Sequence, residues 1–201
     1  MNSGENTTNK RQFPDQEPST PLSDYAKKRD EAIKQSYLEK IECIGIDPIL
    51  IQGKNFDPDC LPPVESADIL TYLVLETSYC TKDQFKNFRS LEAFNQLVSG
   101  FVTGVQGHKI SEKFVVLAKV RHSERMNDTL LTVWIISEES GVIIGAHCLG
   151  CKDGLAESCS HIACVLYYLE SWTKIHGKLA CTQMKCQWIL PPFVKDVEYA
   201  R

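Results

Sequence analysis

Four residues with metal-ligating side chains, Cys148, Cys151, Cys159 and His161, fall within fourteen positions in the order Cys-x2-Cys-x7-Cys-x-His. No other feature constrains the chain as strongly. Ligands gathered on one ion fix the backbone on both sides of the ion, so binding and folding become one event. Zinc takes four such ligands in a tetrahedron, and three cysteines with one histidine leave no open position for water. The expected site is therefore structural rather than catalytic. Two cysteines two residues apart can bend around an ion at a strand end, and Gly150 between them permits the sharp turn. Cys159 and His161 fall at the expected first turn of a helix, where the positive end of the helix dipole favours thiolate charge. His161 would bind as a neutral imidazole, so affinity should fall with pH.

Two other chemistries use the same residue types. Cys159 and His161 could be a thiol nucleophile and its base, but two residues apart they need an awkward backbone to meet, and no Asn or Asp is placed to orient the imidazole. The thiols could also be plain buried core groups. Disulfides fit poorly. The cysteine count is nine, an odd number, and the polar opening MNSGENTTNKRQF lacks the apolar stretch of a secretory signal. The expectation is reduced thiols in an intracellular protein, with the nucleus as a candidate compartment. No apolar run approaches the roughly 18 residues of a membrane span, so no membrane association is expected. The formal charge of −4 gives no general attraction to nucleic acid or acidic lipid.

The flanking sequence predicts an α+β fold in which a helical N-terminal unit precedes a ββα module. Residues 1–22 hold Pro14, Pro18 and Pro21 among Ser, Thr, Asn and Gln, and read as a disordered tail. Ser23 and Asp24 offer caps to one amphipathic helix running to about Ile44, with Ile33, Tyr37, Leu38 and Ile41 at helical spacing. A connector over 45–64 carries Pro48, Pro58, Pro62 and Pro63. Helical segments follow at about Ala67–Thr77 and Lys82–Val98, the second with a stripe of Phe85, Phe88, Leu91, Phe94 and Leu97. The helical region thus covers 23–100. Gly100, Gly104 and Gly107 read as a flexible joint, since no strand precedes them and no helix follows, as a phosphate loop would require. The module then spans 101–180. Phe114, Val116, Ala118 and Val120 share one strand face, LLTVWIIS is a second strand, and Val142–Ile144 return across a turn at Glu138–Gly141. A helix follows with Ile162, Val165, Leu166 and Leu169 on one side, and 181–201 form an extension.

The stretch from Cys148 to His161, with a hairpin before it and an apolar helix after it, resembles a SWIM-type zinc finger. That family has Cys-x-Cys, a variable gap and Cys-x-His in a ββα arrangement. The segments YLEKIECIGIDP, LEAFNQLVSGFV and ACTQMKCQWILPPFVKDVEYA resemble transposon-derived animal proteins, several of which carry a YqaJ-like nuclease domain further along the chain. One departure matters. Leu149 and Gly150 both separate the first two cysteines, where the family has a single residue. Counted back from His161, Cys151 takes the second ligand position and Leu149 falls on the first. Cys148 is the natural substitute, and His147 is the other candidate. On an extended strand the two point to opposite faces, so they cannot both reach one ion.

The expected cofactor is Zn²⁺, held by Cys148, Cys151, Cys159 and His161. The other six cysteines, including Cys164, and His108, His122 and His176 are expected to be ordinary structural residues. A zinc-stabilised unit of this kind implies binding to DNA or to protein, and no small-molecule substrate is expected. The candidate phosphate-contacting cations are Lys109, Lys113, Lys119, Arg121, His122 and Arg125, although residues 101–190 hold nine Lys or Arg against eight Asp or Glu. Enzyme activity is not expected. Nucleases of the YqaJ kind need clustered carboxylates with a Glu-x-Lys, and that triplet occurs nowhere in the chain. The alternative implied by the resemblance is a non-catalytic part of a nuclease- or recombinase-type protein whose catalytic domain lies outside this chain.

Overall fold

The computed structural model describes residues 20–76, 91–122, 128–151 and 159–177. Helices α1 (Asp24–Lys27) and α2 (Glu31–Ile41) are followed by short 3-10 turns, then by α3 (Ser66–Leu70), which widens into a π-helical turn over Thr71–Glu76. Helix α4 (Leu91–Val98) precedes four strands, β1 (Val102–Ile110), β2 (Lys113–Val120), β3 (Leu131–Glu138) and β4 (Ile143–Leu149), and α5 (Ser160–Gly177) comes last. The strands form one antiparallel sheet in the order β1-β2-β3-β4. The fold is thus α+β. The tail expected over 1–22 and the extension over 181–201 fall almost wholly outside the described residues.

Both faces of the sheet are covered. On one face Val116, Ala118, Val120, Val133, Ile135, Ala146 and Cys148 pack with Ile162, Val165, Leu166 and Leu169 of α5 and with Val64 and Ile69. On the other, Trp134 and Ile136 meet Ala26, Tyr37 and Ile41 from α1 and α2, while Ile51 and Phe56 cover Val115. Two-sided burial explains why β3 reads as an unbroken apolar run: a strand between two layers has no solvent face on which to place polar residues. A buried carboxylate ties the second layer together. Asp47 accepts hydrogen bonds from the Tyr37 hydroxyl at 2.7 Å, the Ser23 backbone N–H at 2.9 Å and the Ile49 N–H at 3.0 Å. The Trp134 indole in turn donates to the Tyr37 oxygen at 3.2 Å.

Three expectations are corrected. Gly104 and Gly107 are not a joint but lie within β1, paired along β2 from Val102↔Val120 to Ile110↔Lys113. At Gly107 another backbone crosses the strand. Asp57 and Gly107 exchange both N–H···O bonds, and a Cβ there would sit 1.7 Å from the Cys60 carbonyl oxygen. A glycine inside a strand marks such an approach. The single helix expected from Ser23 to Ile44 is two helices. Ser23 caps α1, and Asp30, in extended conformation, starts α2. The break lets Arg29 lie over the Tyr25 ring, 4.2 Å from its centroid. Finally, α4 buries Ala93 and Gln96, while Phe94 from the expected stripe is half-exposed with its ring edge-on to Tyr167. Phe85 and Phe88 of that stripe lie outside the described residues.

Candidate metal centre

The order hairpin, loop, helix brings the four candidate ligands together from three directions. Cys148 is the penultimate residue of β4, its side chain on the α5 face of the sheet. The chain then turns at Gly150, whose φ of +100° is a conformation that side chains rarely adopt, and delivers Cys151 back towards Cys148. Cys159 stands immediately before α5. Its carbonyl accepts the Ala163 N–H at 3.1 Å, and its sulfur accepts from the Ile162 N–H, so the thiol itself caps the helix. His161 follows in the first turn. The three sulfurs and an imidazole nitrogen all lie within 4.8 Å of one another. A tetrahedral ion with ~2.3 Å bonds to sulfur needs ligand atoms about 3.8 Å apart, so the group is already gathered to nearly that size.

The polar accounting points the same way. Cys148, Cys159 and His161 are buried, and Cys151 is half-buried at the rim. No nitrogen or oxygen partner satisfies the ring nitrogens of His161, and among the described residues the Cys151 sulfur is the one polar group that bonds to the ring. A buried orphan of this kind is expensive, roughly 1–3 kcal/mol, unless something takes its lone pair. The thiols share protons among themselves. Hydrogen bonds with Cys148 and then Cys159 hold the Cys151 thiol far below its usual range, and hydrogen bonds with Cys151 and then Cys159 hold Cys148 far above it. Three sulfurs this close cannot all be thiolates without a cation between them. The donor set therefore fits a metal ion bound by four protein ligands.

The structure separates the two candidates for the first ligand. Cys148 joins the group, whereas His147 lies on the opposite face of β4. There its ring stacks on Trp134, with centroids 5.6 Å apart, and meets Tyr37 and Tyr25 edge-on. Burial, reinforced by Lys40 and Arg29, pushes its imidazole down to about 4. His147 is a core residue of the second layer. Cys164 is also a core thiol, as expected, and burial pushes it up to about 12. Cys43 is exposed and Cys60 half-buried, both free, while Cys80, Cys181 and Cys186 lie outside the described residues.

One neighbour was set aside in the sequence. His122, just past β2, brings its ring to 5.6 Å from that of His161. Nothing in the sequence signals this, because 39 residues separate the two and the sheet alone brings them together.

Of the cations expected to contact phosphate, Lys109 stands apart from Lys113 and Lys119. Lys109 pairs with Phe114 in register and forms an ion pair with Glu139. Lys119 lies opposite Gly104, five positions along the strand pair, and donates to the Thr132 hydroxyl at 2.7 Å. Strand alternation puts Lys113 and Lys119 on the face opposite to Lys109. Arg125 lies outside the described residues. Among the described residues no helix is long and apolar enough to cross a membrane. Compared with family models, curated proteins and solved structures, the chain finds no match.

Proposed function

We propose that Cys148, Cys151, Cys159 and His161 hold a structural Zn²⁺ and that the chain is a SWIM-type module serving macromolecular interaction rather than catalysis. One observation carries this reading: three thiols and a buried imidazole gathered within 4.8 Å at the junction of a hairpin and a helix. Four protein ligands would leave no position for a reacting water, which is the mark of a structural centre. The longer first spacing is absorbed at Gly150, whose positive φ lets Cys148 substitute for the family's first cysteine. Of the two partner classes, protein is favoured over the phosphate backbone, because Lys109 is engaged by Glu139 and stands on the opposite face from Lys113 and Lys119.

Metal analysis of the purified chain tests the first part. About one equivalent of zinc per chain is expected, and less than about half an equivalent would overturn a tetrahedral site. A salt titration with duplex and single-stranded DNA tests the second. No saturable binding at low salt is expected, whereas binding with a steep salt dependence would show that phosphate contacts dominate.

A further inference from the structure

We propose that Cys151 and Cys148 are a redox pair: peroxide oxidises Cys151, and Cys148 then closes a disulfide with it that gives up the bound ion. The release of the ion rests on the zinc reading above, whereas the pairing rests on the placement of the sulfurs alone.

Of the three gathered thiols, Cys151 is the one that is not buried. It stands just past the turn at Gly150, while Cys148 and Cys159 lie in the core. A small oxidant arriving from solvent therefore meets Cys151 first. A metal-bound cysteine is a thiolate, the nucleophilic form of the group. Its sulfur attacks one oxygen of hydrogen peroxide, so that an S–O bond forms and the O–O bond breaks. The departing hydroxide takes a proton from solvent and leaves as water. A sulfenic acid beside a second thiol condenses to a disulfide, and here two further sulfurs stand within 4.8 Å.

The geometry favours Cys148 as the resolving partner. The Cys159 sulfur accepts the Ile162 N–H at the start of α5, so drawing it to Cys151 would uncap that helix. Cys148 is separated from Cys151 by two residues, and the chain already reverses between them at Gly150, whose φ is +100°. Attack by the Cys148 sulfur forms the S–S bond and breaks the S–O bond, and a second water leaves. The sulfur pair has then lost two electrons and the peroxide has gained them. A disulfide offers no thiolate, so Cys159 and His161 alone remain, half of the tetrahedron that zinc takes. Oxidation thereby releases the ion, and reduction restores the site.

Substituting Cys148 or Cys151 would itself remove a ligand, so the test uses the unaltered full chain. The zinc-bearing protein is treated at pH 7 with one molar equivalent of hydrogen peroxide. Free zinc is followed with a chromogenic chelator, and the sulfur pairs are mapped by peptide mass spectrometry. Cys43, exposed and outside the group, is the internal reference thiol. An ordinary thiol is a few per cent thiolate at pH 7, so Cys151 should oxidise about tenfold faster than Cys43. A Cys148–Cys151 disulfide is expected, formed in step with the release of zinc, and dithiothreitol with added zinc should reverse both. Zinc content before peroxide is added decides the metal reading by itself, and the mapped pair decides this one in zinc-bearing and zinc-free chain alike. A Cys151–Cys159 bond, Cys151 carried to sulfinic acid without a disulfide, or oxidation of Cys43 ahead of Cys151 would each overturn the proposal.

Discussion

At the scale of single residues, the same strand carries two opposite kinds of histidine and cysteine chemistry. Cys148 and His147 are adjacent, yet one faces a group of thiols and the other a box of aromatic rings. The gathering of Cys148, Cys151, Cys159 and His161 into one group was legible from spacing, because soft donors at close intervals have few other uses. The box was not legible, because Tyr25, Tyr37, Asp47, Trp134 and His147 come from distant segments, and no spacing rule joins them. Substitution separates the roles. Cys159→Ser or His161→Ala should release zinc and unfold at least the C-terminal half. Cys164→Ala, one turn further along α5, should retain a full equivalent by metal analysis and lose only the roughly 1 kcal/mol of a small cavity. Tyr37 gives a different prediction. Burial first, and then the Asp47 carboxylate, hold its phenol well above the usual tyrosine range. In the unfolded chain it ionises near pH 10. The folded state binds the proton more tightly, so this contribution is intact below about pH 10 and is lost as pH rises further. Tyr37→Phe should flatten the alkaline limb of the stability curve. At neutral pH it should cost roughly 1–3 kcal/mol, by leaving Asp47 short of a donor, and urea unfolding at pH 7 and pH 11 reads both effects.

Elements were legible where burial is one-sided or complete, and misread where backbone rather than side chains decides. Strand β3 announced itself by its unbroken apolar run and α5 by the spacing of Ile162, Val165, Leu166 and Leu169, all of which are buried. Strand β1 did not, since two glycines, a glutamine and a lysine are poor strand formers by composition. Its reason for being a strand lies in the ladder with β2, and the glycine at 107 in Asp57 and Cys60, which cross the strand there. The break between α1 and α2 was hidden by the good helix formers around it, although Asp30, the N-cap of α2, is a residue type favoured at helix starts. The two glycines of β1 make this testable. A Cβ at Gly107 would meet the Cys60 carbonyl at 1.7 Å, whereas one at Gly104 would meet nothing within 4 Å. Gly107→Ala should therefore cost about 3 kcal/mol, the upper part of the usual range for overpacking. Gly104→Ala should change stability by less than about 0.5 kcal/mol. Equal effects in chemical denaturation would mean that the crossing at Gly107 does not form.

For the whole molecule, the arrangement of layers would make a metal bound on one face matter to the other. The sheet is one strand thick, and β4 pairs through the ladder with β3 from Thr132↔Leu149 to Ser137↔Ile143. Its last residues carry Cys148 towards α5 and His147 and Leu149 towards α1 and α2. An ion that fixes Cys148 therefore fixes the neighbouring His147 as well, since one pleat holds both. If the proposed ion is lost, Cys148 is left buried among shared protons, and the relief expected is for the end of β4 to peel from β3. That motion withdraws His147 from Trp134, Tyr25 and Tyr37 and removes the surface on which α1 and α2 rest. A zinc site serving only its own hairpin would behave differently, because α1 and α2 would stay docked through Tyr37, Asp47 and Trp134. Amide hydrogen exchange with and without a chelator distinguishes the two. We expect amides of α2 from Lys34 to Ile41 to exchange about tenfold faster after zinc removal, together with those of α5, as sub-global opening of a shared unit requires. Faster exchange confined to α5 and the end of β4 would show that the sheet insulates its two faces, and that the N-terminal helices stand on the aromatic box alone.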